Sequence, residues 1–222
     1  MRRIGAGATG RAPDELAVEE PMEIRLDERL VSTTMRTPGH DYELAVGFLF
    51  TDGHLHGAPV EGVRYCALGS AVDSEFNVVT VQTGGRAPAP TARLTTTTSS
   101  CGLCGSASIQ ELLARHDPLA VESFPAELLL SLPDRAKASQ DLFAATGAVH
   151  AAVAFDRTGE VVLAREDVGR HNAVDKVVGR LVLDGAVPAG HLALFVSGRA
   201  SFEIVQKAWA GGIGSVVAVS GP

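Results

Sequence analysis

The stretch Glu160–Val182, EVVLAREDVGRHNAVDKVVGRLV, carries the reading on which the fold turns. It opens with an apolar run of strand type, Glu160–Ala164. A crowded polar turn follows, and Gly169 allows it to be tight. From about His171 the apolar residues Val174, Val177, Val178, Leu181 and Val182 recur at i, i+3, i+4, i+7 and i+8, which predicts an amphipathic helix. Upstream, Ala148–Phe155 predicts a partner strand joined through the turn Asp156-Arg157-Thr158-Gly159. Downstream, Leu192–Val196 predicts a buried strand and Ser197-Gly198-Arg199 a turn. A helix ending at Gly211-Gly212 and a last strand, Val216–Val219, complete the series. This alternation predicts an α/β sheet flanked by helices, with parallel pairing across the crossovers.

Outward from this core the signals are weaker. Residues 1–18 are rich in Gly, Ala and Arg and are expected to be frayed. Met22–Leu26 and Leu30–Met35 alternate around Asp27-Glu28-Arg29 and predict a hairpin. A helix is expected to begin near Asp41, an N-cap type residue, and to stop at Asp52-Gly53. Gly62–Leu68 and Phe76–Gln82 read as strands. Residues 19–90 thus form a small N-terminal α/β unit, and the Pro/Gly stretch with the Thr/Ser tract near 84–100 marks its boundary with residues 91–222. Ser108 and Glu111 form a capping box that opens one helix. Another helix is expected over Asp134–Ala145, with Gly147 as its stop.

The chain has 222 residues and a net charge of −7, against general nucleic-acid binding. No apolar run reaches about 18 residues, so no membrane span is expected. Three cysteines, Cys66, Cys101 and Cys104, do not make a disulfide scaffold and fit a reducing, cytoplasmic setting.

Cys101-Gly102-Leu103-Cys104 precedes a predicted helix start, where free N–H groups and the helix dipole favour a thiolate. The site is built like a nucleophile or sulfur carrier. Half a zinc site and a redox dithiol are the other readings of C-x-x-C, although no second C-x-x-C is present. The zinc-deaminase signature is absent, because no His-x-Glu precedes a Pro-Cys-x-x-Cys. At the strand-to-helix junction, Asp167, Gly169, Arg170, His171 and Asn172 crowd a helix start suited to an anion. The i, i+4 pairs His171/Asp175 and Asn172/Lys176 belong equally to a solvated helix face. Ser197, Gly198 and Arg199 offer a second anion-binding turn at the same sheet edge. His150 lies mid-strand, either as a buried histidine or as a ligand contact. Arg36, beside Thr37-Pro38-Gly39, is a weaker anion candidate, and Cys66 reads as a small core residue.

Four strings now carry a resemblance: Ser99–Gly105, Thr146–Ala152, Glu166–Lys176 and Ser197–Glu203. Together, and in this order, they resemble the FdhD/NarQ family of formate dehydrogenase accessory sulfurtransferases. The resemblance runs from about residue 19 onward, and Glu166–Lys176 makes it highly specific. It implies a cytidine-deaminase-like mixed sheet domain beside the smaller N-terminal unit. It implies a homodimer that takes persulfide sulfur from a cysteine desulfurase. The sulfur passes to the bis-molybdopterin guanine dinucleotide form of the molybdenum cofactor, which formate dehydrogenase receives. The family's persulfide cysteine falls on Cys101 and its second cysteine on Cys104. A guanine-nucleotide pocket, with GDP as a mimic, is consistent with the two anion-binding turns and with His150. The alternative is a non-enzymatic guanine-nucleotide or cofactor chaperone whose C-x-x-C is structural or holds a metal. The family pattern continues past Ser220-Gly221-Pro222, so the resemblance implies a further C-terminal segment that contributes to cofactor binding.

Overall fold

The structure, a computed structural model, describes residues 2–5, 8–11, 14–66, 71–72, 74–90, 113, 118–119 and 123–220. The Cys101–Cys104 loop and the helix expected from Ser108 lie outside the described residues. The glycine-rich start, expected to be frayed, carries a two-stranded antiparallel ribbon of β1 (Arg2–Gly5) and β2 (Ala8–Arg11).

The N-terminal unit is a four-stranded sheet covered by one helix. β3 (Glu20–Leu26) and β4 (Arg29–Arg36) form the expected hairpin, turning at Asp27 and Glu28 with φ of 44° and 71°. β5 (Gly62–Tyr65) and β6 (Val78–Gln82) complete the order β4-β3-β6-β5. The strand predicted to reach Leu68 ends at Tyr65, since Cys66 turns to a φ of 72°. The strand predicted from Phe76 starts two residues later, because Glu75 and Phe76 also have positive φ. Met22, Ile24 and Leu26 alternate inward and pack under α1 (Asp41–Thr51) through Leu44, Val46 and Leu49. His40, not Asp41, occupies the N-cap of α1, and the Asp41 carboxylate instead takes a two-pronged bond from Arg36.

Residues 123–220 build the second layer system. The helix expected over Asp134–Ala145 is two helices, α2 (Ala126–Lys137) and α3 (Asp141–Thr146). Residues 138–140 tighten into i→i−3 bonds that break it. α2 continues through Pro133 because Leu132 and Ala136 bury fully against the sheet. Gly147 ends α3 with a φ of 65°, as the sequence predicts.

The second sheet contains β7 (His150–Phe155), β8 (Val161–Asp167), β9 (Ala193–Arg199) and β10 (Ser215–Ser220). Its order is β10-β9-β7-β8. β9 and β10 pair in parallel, as expected across a crossover. β8 and β9 do not pair, because β7 lies between them and is antiparallel to both. They still run in the same direction, so their carboxyl ends share one edge with the start of β7. Ala152 and Ala154 of β7 face α4 (Arg170–Leu183) and α5 (Phe202–Ala210), while Val153 and Phe155 face α2.

The two units meet where α1 crosses α4. A Cβ on Gly47 would lie 1.9 Å from the Asp175 carbonyl oxygen, and one on Gly179 would lie 1.8 Å from that of Glu43. Both glycines therefore permit backbone-to-backbone contact. Arg165 of β8 adds a two-pronged ion pair to Glu43 of α1, with its closest contacts at 2.5 and 2.8 Å.

Candidate functional site

The turn from β8 into α4 is built around the carboxylate of Asp167, which is fully buried. It accepts from the N–H groups of Gly169 (2.8 Å) and Thr37 (3.1 Å) and from Asn172 Nδ2 (2.9 Å). It also pairs with Lys176 Nζ at 2.7 Å, and Lys176 is itself only 1% exposed. Lys176 further donates to the carbonyls of Thr37 (2.9 Å) and Glu166 (3.3 Å), and Asn172 donates to that of Met35 (2.8 Å). These are not solvated i, i+4 pairs. They tie residues 35–37 of the N-terminal unit to the turn, and Asp167, Asn172 and Lys176 act here on the protein itself.

Asp175 likewise faces inward. Lys207 of α5 donates to Asp175 (2.9 Å), Thr51 (2.9 Å) and Asp52 (3.0 Å), and Thr51 donates to Asp175 (2.8 Å). Burial pushes the Asp175 carboxyl up to about 6, against the pull of Lys207. Burial alone would lower Lys207, but Asp175 and Asp52 outweigh it and raise its pKa. At neutral pH the pair is ionised on both sides.

The remaining predicted residues gather at the shared strand edge. His150 pairs in register with Asp167, and its Nδ1 lies 3.4 Å from Ser197 Oγ. Gly198 packs beside Arg170: a Cβ there would stand 3.3 Å from Arg170 Cδ and 3.7 Å from His150 Nδ1. His171 lies 3.6 Å from Glu203 of α5, a neighbour that the sequence reading did not place in the site. Ser197-Gly198-Arg199 is not a turn. It continues β9, where Ser197 Oγ accepts the Ala151 N–H, and the chain turns only at Ala200 and Ser201. Arg199 is exposed at the strand end. Arg36 faces no outside anion, since Asp41, Glu20 and Asn77 take its donors in the interior.

Arg170 Nε is buried without a hydrogen-bond partner, whereas His171 Nε2, equally buried, faces the Glu203 carboxylate at 3.6 Å. Buried donors are rarely left unpaired, and the Arg170 guanidinium points to an anionic ligand at the start of α4. Burial, then the charge of Arg170, holds both His150 and His171 below the usual imidazole range. In Glu203, burial pushes upward, but its own backbone N–H, Ser201, His171 and Arg170 hold the carboxyl below its ordinary value. The edge thus offers two imidazoles, the Arg170 guanidinium and the Ser197 hydroxyl, beside the Glu203 carboxylate.

Comparison with known proteins decides to which family the chain belongs. The profile of the FdhD/NarQ family matches residues 17–222. The chain belongs to the FdhD/NarQ family. Sulfur carrier protein FdhD of Streptomyces avermitilis is 49% identical over 99% of this chain and 81% of its own length. The protein of the same name from Mycobacterium tuberculosis is 43% identical over 100% of this chain and 84% of its own. Among solved structures, a candidate formate dehydrogenase accessory protein from Desulfotalea psychrophila superposes with a TM-score of 0.74 at 26% identity, covering all of this chain and 82% of that one.

For this FdhD/NarQ chain, the histidines set a pH dependence. Their folded values lie below the ordinary 6.5, so on acidification the unfolded chain takes up protons that the folded chain resists. Their contribution to stability is present above that value and is lost as pH falls. Thermal melts between about pH 7.5 and about pH 5.5 are expected to show a shallower loss in His150→Gln and His171→Gln than in the wild type. An unchanged slope in both variants contradicts this reading. Among the described residues, no helix is long and apolar enough to cross a membrane.

Proposed function

We propose that this protein carries sulfur on Cys101 to an anionic, guanine-nucleotide-bearing molybdenum cofactor held at the carboxyl edge of the second sheet. The observation that carries the reading is the near full-length identity to proteins named as sulfur carriers. The unpaired Arg170 Nε supports the ligand half of it.

In the transfer step, the Cys101 thiolate attacks the terminal sulfur of a cysteine desulfurase persulfide. The S–S bond of the donor breaks and its cysteine leaves as thiolate. The sulfur, with its proton, is then held on Cys101 as a persulfide. Cys104 assists release by closing a disulfide with Cys101, which expels the terminal sulfur as a hydrosulfide-level species toward the acceptor. The acceptor is the substrate of this step, bis-molybdopterin guanine dinucleotide destined for formate dehydrogenase. Arg170 and Arg199 would meet its phosphates, and Ser197 and the imidazoles of His150 and His171 would bond its polar rim. Gly198 lets the backbone of β9 come close to the ligand. The working unit is a homodimer.

Incubation with a cysteine desulfurase and cysteine is expected to add the mass of one sulfur atom to the wild-type chain. Cys101→Ala is expected to gain none by intact-protein mass spectrometry. Equal loading of the variant overturns the assignment. Failure of GDP to bind in calorimetry removes the ligand half and leaves the carrier half standing.

A further inference from the structure

Thr37 belongs to the N-terminal unit, yet all three of its polar groups hold the turn after β8. Its N–H donates to Asp167 (3.1 Å), its hydroxyl oxygen accepts the Val168 N–H (3.0 Å), and its carbonyl accepts Lys176 Nζ (2.9 Å). It is 6% exposed. The turn it holds ends at Gly169, whose carbonyl takes the Ala173 N–H and so opens α4. Arg170 and His171 come next: Arg170 Nε is buried without a hydrogen-bond partner, and His171 Nε2 faces the Glu203 carboxylate at 3.6 Å.

We infer that Thr37 is a positioning residue for this edge, so that the N-terminal unit sets the affinity for a phosphate-bearing ligand held by Arg170 and His171. The inference rests on the site reading given under Proposed function. A helix N-terminus binds an anion only as well as its first residues are aimed, and small displacements of a preorganised group weaken binding. Here the aim is set from outside the second sheet. Without the Thr37 hydroxyl, the half-buried Val168 N–H loses its partner, and the Val168–Gly169 turn is free to shift. Binding and clamping are then linked reciprocally: a ligand at Arg170 and His171 must tighten the Thr37 contacts.

The probe is GDP, with inorganic pyrophosphate as a second arm, titrated calorimetrically into the full 222-residue chain. Thr37→Val keeps the size and branching of the side chain and removes only the hydroxyl. It is expected to weaken GDP about tenfold, with pyrophosphate following in parallel, while Thr37→Ser returns affinity to within about threefold of wild type. The control is Thr80→Val, which removes a fully buried hydroxyl with no hydrogen-bond partner and is expected to leave affinity unchanged. In hydrogen exchange on the wild type, GDP is expected to slow the Thr37, Val168 and Gly169 amides. That arm decides the matter even if Thr37→Val does not fold, because absence of this protection overturns the proposal. Wild-type affinity in Thr37→Val also overturns it and leaves the site reading intact. Equal losses in Thr37→Val and Thr80→Val overturn it as well. A wild-type chain that binds neither GDP nor pyrophosphate overturns the site reading and the positioning role together.

Discussion

Gly179→Ala is expected to lose about 4 kcal/mol or more of stability, enough to leave a marginal domain largely unfolded. The new methyl group would stand 1.8 Å from the Glu43 carbonyl oxygen and 2.7 Å from the Gly47 nitrogen. These are backbone atoms of α1, so no side chain can rotate away. The two helices must separate, and ordinary over-packing costs of about 1–3 kcal/mol are the lower bound. Helix propensity works in the opposite direction, since Ala is better than Gly by about 1 kcal/mol in a helix interior. The sign of the effect is therefore diagnostic. Urea denaturation of wild type and variant measures it, and a variant as stable as the wild type shows that α1 and α4 do not cross at these glycines. Separation of the helices would also pull Glu43 from Arg165 and loosen β8 next to the ligand edge.

Lys176→Met is expected to cost about 3–5 kcal/mol, because it leaves the buried Asp167 carboxylate without its countercharge. Both side chains are almost wholly enclosed, so water cannot replace the ammonium. The three other donors to Asp167, from Thr37, Gly169 and Asn172, remain and soften the loss without removing the charge. Adding Asp167→Asn removes that charge while keeping one oxygen to accept from Gly169 and Asn172 as Oδ1 does, at the loss of the Thr37 N–H bond to Oδ2. The double variant is expected to recover more than half of the loss in urea denaturation. Additive losses in the double variant show that lost packing, and not an uncompensated charge, explains the single one. A charge pair at this place joins residue 37 to the turn after β8, so its failure is expected at the junction between the two units.

Much of the frame was legible in the chain. Period-two alternation placed the β3–β4 hairpin, and the i, i+3, i+4 pattern placed α4. Gly147 marked the end of α3 correctly because only a residue at ease with positive φ ends a helix in that way. These are local signals, set by side-chain direction and backbone sterics over a few residues. The lateral order of strands is not local. β8 and β9 are neighbours in the alternating pattern, yet β7 lies between them, and nothing in the chain order excludes that arrangement.

The candidate site divides along the same line. The run from Asp167 to Lys176 stood out by its crowded polar chemistry, and the proposal of Cys101 as the sulfur-carrying thiol rests on sequence alone. Spacing showed that Asp175 and Lys176 could reach across one helical turn, but not that they face inward. They do so because α1, α5 and residues 35–37 pack over them and bring Thr51, Lys207 and Thr37 within hydrogen-bond reach. Thr37 stood out only as a neighbour of Arg36, since its three bonds run to residues about 130 positions away. Nothing in the local sequence marks Gly179, since its reason is the backbone of another helix. Residue types and their periodicity specify elements and chemistry within reach of a few bonds. Which polar group meets a ligand, and which one is enclosed by the protein itself, depends on what distant chain packs against it.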